Sequence, residues 1–168
     1  YSREFNFVVD EIDAQEIEKI AISSTKIRNS INEGDLKTTK TYLGRFFSLT
    51  GKVVKGDGLG KQINYPTANI SIEEDYKIIP KDGVYYIKTT IDNKLYNGMM
   101  NIGHRPTIGT KEKSIEVNLF SFDKDIYDKV ISVDVVEKIR EEKKFSSIEA
   151  LKTQLAKDEE HCLKLINK

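Results

Sequence analysis

Between Phe47 and about Ile139 the chain carries short β-branched and aromatic runs in close succession, with no helical periodicity between them. The runs cover residues 49–54, 68–72, 84–91, 95–100, 115–122 and 131–136. Asp92-Asn93-Lys94 separates two of them by the brief polar stretch of a hairpin turn, and Asp123-Lys124-Asp125 turns the chain after another. Strands so closely spaced predict an antiparallel barrel or sandwich.

The flanks differ in texture. Phe5-Asn6-Phe7-Val8-Val9 reads as a short strand, followed by an acidic, loop-like stretch over 10–19. Residues 23–44 predict two short helices. Ser23 or Ser24 caps the first, Ile27 and Ile31 share its face, and Gly34 ends it; Asp35 caps the second, with Leu36 and Leu43 apolar and Gly44 at its end. Ser146-Ser147-Ile148-Glu149 fits a capping box with Ser146 as N-cap. Ile148, Leu151, Leu155, Cys162, Leu163 and Ile166 then recur at helical spacing, predicting a last helix laid against the strands.

Charge and composition narrow the function classes. The 27 Lys and Arg balance 27 Asp and Glu, so the chain lacks the basic surplus that sequence-independent nucleic-acid binding needs. No apolar run approaches the ~20 residues that span a bilayer. A length of 168 residues with 38% hydrophobic content suits one domain, or one domain with an appendage. The single cysteine, Cys162, forms no internal disulfide, and with only His104 and His161 beside it a zinc cluster is not expected. The first residues carry no signal-peptide pattern, which predicts a cytoplasmic protein, and Tyr1 in place of Met predicts a processed or truncated start.

The densest chemical signal is Lys55-Gly56-Asp57-Gly58-Leu59-Gly60-Lys61. Glycines at alternate positions let backbone N–H groups approach an anion closely, and Lys61 adds positive charge. The spacing is one residue short of a Walker A loop, Gln62 stands where Ser or Thr should follow, and no helix is predicted after it as a dinucleotide fingerprint requires. A flexible turn is the plainer alternative. In Pro66-Thr67-Ala68-Asn69, period two puts Thr67 and Asn69 on one face. Their hard oxygens suit Mg²⁺ beside nucleotide phosphates, or alternatively make hydrogen bonds across the sheet. Glu116 shares a strand face with Asn118 and Phe120, where it serves as a general base or faces solvent. Arg105, in the turn-rich stretch 101–107, meets a phosphate or an internal carboxylate; His104 reads as a loop residue. Residues 139–145 form a charged connector to the last helix.

The motifs gain weight in combination. Gly56-x-Gly58-x-Gly60-Lys61, Pro66-Thr67-Ala68-Asn69, Asp82-Gly83-Val84-Tyr85, Asn101-Ile102-Gly103-x-Arg105-Pro106-Thr107, Glu116-Val117-Asn118-Leu119 and Arg140-x-Glu142-x-x-Phe145 occur in that order. Together, over roughly residues 45–165, they resemble the riboflavin kinase module of bacterial bifunctional riboflavin kinase/FAD synthetases. Residues 22–28, with Ser23, Ser24 and Arg28, look like the end of the adenylyltransferase domain that precedes the module there. The H-x-G-H-type motif of that domain is absent, so FAD synthesis is not expected of this chain.

The resemblance implies a six-stranded antiparallel Greek-key barrel with a C-terminal helix outside it and short N-terminal helices. It divides the chain into an adenylyltransferase remnant with linker helices, 1–44, and a kinase domain, 45–168. It implies transfer of the γ-phosphate of ATP to the 5′-hydroxyl of riboflavin, giving FMN, with Mg²⁺ accompanying ATP. Gly56, Gly58, Gly60, Lys61 and Thr67 would hold ATP and its phosphates, Thr67 and Asn69 the metal, Glu116 would be the catalytic base, and Arg140 and Glu142 would lie at the flavin. Tyr65 stands where phenylalanine is commoner in the family. The small-molecule substrates are then the partners, with no nucleic acid and no membrane, and the adenylyltransferase domain belongs to a longer parent. Two rival readings are a flavin- or nucleotide-binding barrel without turnover, which an assay for FMN separates, and an OB-like single-strand binder. The second needs exposed aromatics in a basic groove, whereas most Tyr and Phe here fall at core-facing strand positions.

Overall fold

Six antiparallel strands close into a barrel, and the near-continuous burial of β5 and of the middle of β6 shows a wall covered on both faces there. The computed structural model describes residues 2–6, 8, 16–17, 20–56, 58–104 and 113–166. In chain order the elements are α1 (Ser2–Phe5), β1 (Glu16–Ile17), β2 (Ile20–Ala21), α2 (Ser24–Glu33), α3 (Leu36–Leu43), β3 (Phe47–Val54) and α4 (Leu59–Gln62). There follow β4 (Ala68–Ser71), β5 (Gly83–Ile91), β6 (Lys94–His104), β7 (Lys113–Leu119), β8 (Val130–Arg140) and α5 (Ile148–Ile166). The barrel order is β3-β4-β7-β6-β5-β8, antiparallel at every pair. β4 is followed in sequence by β5 but pairs with β7, which makes the connection a Greek key.

The two faces of the wall build two cores. Inside lie Leu49, Val53, Ile87, Met100, Val117 and Val133. Outside, Val84, Tyr86 and Met99 pack with Cys162 and Leu155 of α5. Each fully buried side chain of this size contributes ~1.5–3 kcal/mol. The β5–β8 register shifts between Val84 and Tyr85 and again between Tyr86 and Ile87. Val136 and Ile139, the residues these bulges leave unpaired on β8, pack into the outer core.

The expected caps hold α2 and α3. Ser23 Oγ accepts from Lys26 N at 3.3 Å and Asp35 Oδ1 from Thr38 N at 3.0 Å, while Gly34 (φ 78°) and Gly44 (φ 69°) turn left-handed at the ends. The Thr38 bonds also hold the Asp35 carboxyl below its ordinary range. Leu36 reaches the inner core, and Ser30 meets Thr39 through a buried hydroxyl pair at 2.8 Å. These helices are therefore packed on the barrel. The hairpin turn forms as expected, with Asp92 (φ 50°) and Asn93 (φ 60°) both left-handed between paired Ile91 and Lys94.

Five local expectations change. Ser2–Phe5 forms one helical turn rather than the start of a strand, residues 7 and 9 of that reading lying outside the described residues. Within the acidic stretch, Glu16–Ile17 pairs with Ile20–Ala21, and residues 10–15 and 18–19 lie outside the described residues. α5 is capped by Ser147, whose Oγ accepts from Ala150 N at 3.1 Å, one residue later than the capping box placed it. Its barrel face carries Leu151, Leu155, Asp158, Cys162 and Leu165, while Ile148, Leu163 and Ile166 are exposed. The glycine loop does run into a helix, the single turn α4, because left-handed Gly58 reverses the chain and Tyr65 N closes back onto Gly60 O at 2.8 Å. None of the described helices is long and apolar enough to cross a membrane.

Candidate active site

Cross-strand register assembles the polar residues. Asn69 on β4 pairs with Glu116 on β7, which pairs on its other side with Asn101 on β6. Asn101 faces Val84 on β5, and Val84 faces Arg140 on β8. Directly opposed residues carry Cβ atoms ~4.5–5.5 Å apart on the same face. An Asn–Glu–Asn row therefore crosses the outer wall of the barrel. Asn118, two positions along β7, and Thr67, just before β4 and two residues from Asn69, lie beside that row.

A hollow of about 200 Å³ lies between this wall and α5. Its polar wall carries Thr67, Asn101, Glu116 and Asn118; its apolar side carries Ile63, Tyr65, Val84, Met99, Leu151 and Leu155. Gly60 lies at one side and Arg140, Glu142, Lys143 and Phe145 at another. A second hollow, about 370 Å³, is lined by Lys61, Pro66, Thr67, Phe122 and residues 123–127, and by Ala68, Val117 and Leu119 from the inward face of the wall. Thr67 lines both.

The glycines of the loop are fitted to these side chains. A Cβ on Gly56 would collide with the Asn69 amide, and one on Gly60 would collide with Tyr65 O and stand 3.1 Å from Thr67 Oγ1. Thr67 and Asn69 thus sit in a cradle that only glycine leaves open. Hydroxyl and amide oxygens beside the Glu116 carboxylate form a hard donor set, suited to a cation shared with phosphates. Among the described residues no group of three or more His, Cys, Asp or Glu could hold a metal by itself. Asn118 Nδ2 fixes the strand approach by donating to Pro66 O at 2.8 Å.

The opposite rim is tied to α5. Arg140 Nε and Nη2 donate to Asp158 Oδ2 at 2.9 and 2.8 Å, Nε reaches Oδ1 at 3.1 Å, and Asp158 is 2% exposed. Tyr65 Oη donates to Glu159 Oε2 at 3.2 Å; burial first, then the Glu159 carboxylate, pushes its phenol up, so it remains a donor. Glu142 packs its carboxylate onto Gly103, where a Cβ would collide with it.

The residues singled out in sequence are thus distributed as follows. Thr67, Asn69 and Glu116 share one wall face, with Gly56 and Gly60 against Asn69 and Thr67. Arg140 and Glu142 line the first hollow and Lys61 the second, while Gly58 is an exposed left-handed hinge before α4. Arg105 lies outside the described residues. Sequence reasoning passed over Asp158 and Gln154. The signal for Asp158 was present, because helical spacing places 158 on the Leu155–Cys162 stripe.

The sequence profile of the riboflavin kinase family matches residues 43–166. The chain is similar to bifunctional riboflavin kinase/FMN adenylyltransferases: 38% identical to that of Bacillus subtilis over 85% of this chain and 46% of the relative. For that of Buchnera aphidicola subsp. Schizaphis graminum the identity is 39%, over 98% and 53%. The chain spans about half the length of the curated relatives it matches. Among solved structures, a chain described as a macrolide-efflux protein from Streptococcus pneumoniae superposes with a TM-score of 0.81 at 38% identity, covering 89% of this chain and 49% of that one. Riboflavin kinase from Trypanosoma brucei superposes at 0.50 with 25% identity, covering 72% and 80%.

Proposed function

This chain belongs to the riboflavin kinase family, and on that premise we propose that it transfers the γ-phosphate of ATP to the 5′-hydroxyl of riboflavin, giving FMN and ADP. The observation that carries the reading is that Thr67 lines both hollows while Glu116 lines one. The first hollow, apolar on one side and polar on the other, suits a flat ring system whose hydroxylated tail runs along the wall. The second offers Lys61 to phosphate and Phe122 and Tyr127 to a base, with Asp123 and Asp125 on its rim and Lys124 paired to Asp92, and is the place left for the nucleotide. Donor and acceptor would then meet at Thr67, close to Glu116. At about 200 Å³ the first hollow is below the ~300–1,000 Å³ usual for small-molecule sites, so flavin binding would displace its 141–145 rim.

Phosphoryl transfer passes through a loose transition state and depends on alignment and charge neutralisation. Mg²⁺, held by Thr67 Oγ1 and the Asn69 amide oxygen, would neutralise phosphate charge when bound. Backbone N–H groups of the glycine segment and the Lys61 ammonium would orient the polyphosphate. Glu116 would accept the proton of the attacking hydroxyl. Asn118 would keep Thr67 in place through Pro66.

A positioned base contributes ~10²–10⁴-fold. Glu116→Gln is therefore expected to lower FMN formation by at least about a hundredfold while ADP binding is kept, read by chromatography of the flavins and by calorimetry. Near-native turnover would remove Glu116 from the mechanism. A wild-type chain that binds riboflavin but leaves ATP intact would replace the kinase reading with that of a binding barrel.

A further inference from the structure

The rim of the first hollow is held by a relay from α5 that none of the sequence motifs contains. Asp158, buried under the helix, takes the Arg140 guanidinium edge-on through Nε and Nη2. The same carboxylate accepts from Gln154 Nε2 at 2.7 Å, and the other end of that amide, Oε1, accepts from Lys143 Nζ at 2.5 Å. Arg140 and Lys143 both stand over the Phe145 ring, at 5.7 and 5.4 Å from its centroid. The chain of contacts is closed: carboxylate, amide and two cations fix where the aromatic ring lies. Arg140, Lys143 and Phe145 all line the hollow, whereas Asp158 and Gln154 do not.

We propose that Gln154 and Asp158 are positioning residues for the flavin end of the site, acting as a latch that holds the 141–147 connector over the hollow. This rests on the kinase reading only for the identity of the ligand. The amide of Gln154 suits the task because one end donates to an anion while the other accepts from a cation, so its orientation is fixed by its partners. Arg140 is accordingly part of the latch. Its Nε and Nη2 face Asp158 and Nη1 donates to Glu141 O at 3.0 Å, so its guanidinium edge is turned to protein rather than to ligand. Opening the connector breaks the Lys143–Gln154 bond and both ring contacts while Arg140–Asp158 stays with the barrel and helix.

The latch is tested on the whole chain with Gln154→Met, which keeps side-chain length and helix propensity but removes both hydrogen bonds. Riboflavin affinity is read from flavin fluorescence, the MgATP KM from FMN formation, and opening from backbone amide exchange of residues 141–147. The variant should weaken riboflavin binding by about ten- to a hundredfold, the size of a hydrogen bond to a charged partner. It should leave the MgATP KM within about twofold and speed exchange in 141–147 without speeding it in the barrel strands. In a Lys143→Ala background the same substitution should lose most of its effect. Unchanged exchange in 141–147, equal losses for both substrates, or an undiminished effect beside Lys143→Ala would each overturn the latch. A wild-type chain that makes no FMN would instead sink the kinase reading, and the exchange measurement would still decide the latch.

Discussion

Gly56→Ala tests the placement of Asn69 while keeping the backbone N–H by which Gly56 itself would face phosphate. Gly56 is not among the left-handed glycines, so its backbone accepts alanine. The new methyl would overlap Asn69 Nδ2 and lie 2.9 Å from Asn69 Cγ, and the nearest atoms around it all belong to that one side chain. Asn69 must therefore move. A backbone-compatible Gly→Ala change stabilises by ~0.4–1 kcal/mol through the unfolded chain, and overpacking costs ~1–3 kcal/mol. The net is between roughly zero and ~2.6 kcal/mol of destabilisation. At ~2–4 °C per kcal/mol for a chain of this size, Tm falls by no more than about 10 °C. Function should suffer more, because loss of a supporting contact at a metal site typically lowers metal affinity ~10–100-fold.

The assay is FMN formation against free Mg²⁺ at saturating ATP, with a melting curve on the same sample. The Mg²⁺ half-saturation point should rise by about 10–100-fold, as it should in Asn69→Ala. The double variant, where the methyl meets no amide, should be no worse than Asn69→Ala alone. A lowered Tm with an unchanged Mg²⁺ titration would refute the reasoning, since Asn69 would then have moved without consequence for the metal.

Other expectations follow from the same geometry. Leu36→Ala should cost ~2–5 kcal/mol and lower Tm by about 4–20 °C, because Leu36 reaches the inner core from α3; an unchanged melting curve would mean that α3 is not part of the folding unit. Burial first, then the Asp158 and Glu159 carboxylates, pushes the Cys162 thiol up to about 12 from an ordinary 9.0. The folded state thus keeps a proton that the unfolded chain releases, so this contribution is full below pH 9.0 and disappears as pH rises to about 12. The urea midpoint should fall from pH 8 to 10.5, less steeply in Cys162→Ala, where the Tyr85 and Tyr86 phenols, also pushed up by burial, supply the remaining slope; identical slopes would count against the thiol.

What could be read from sequence is what short-range physics determines. The hairpin at Asp92-Asn93 and the caps at Ser23, Gly34, Asp35 and Gly44 each depend on neighbours within a few residues, and each formed where the residues placed it. Ambiguity entered where two residues competed locally. Ser146 and Ser147 both offer a hydroxyl, and Leu163-Lys164-Leu165-Ile166 offers apolar side chains to either side of α5, so only packing decided that Ser147 caps and Leu165 faces in. Period two placed Thr67 with Asn69 and Glu116 with Asn118, but which strands adjoin is a long-range matter. That Asn69 lies opposite Glu116, 47 positions on, follows from the Greek-key crossing. The bulges on β8 follow from closure as well, whereas Asp158 could be read on its helix stripe but its partner Arg140 could not.

Closure also explains why the first hollow lies outside the barrel. A six-stranded barrel is narrow, and its lumen here is filled by Leu49, Val53, Tyr85, Ile87, Met100 and Val133. The first hollow therefore lies on the outer wall, where α5 supplies the second layer that makes it, while the second opens beside the inner-core residues Val117, Leu119 and Ile126. This division gives the two faces different duties. Inward positions that line neither hollow, such as Leu49, Ile87 and Val133, respond to volume alone, so substitution there should appear as lost stability with substrate constants unchanged. Outward positions between Asn69 and Arg140 carry the polar row and the contacts to α5, and a change on the helix can reach the wall without altering any wall residue. Asp158 is the clearest case: it lies on an element that reads as amphipathic packing, yet its carboxylate decides where Arg140 points.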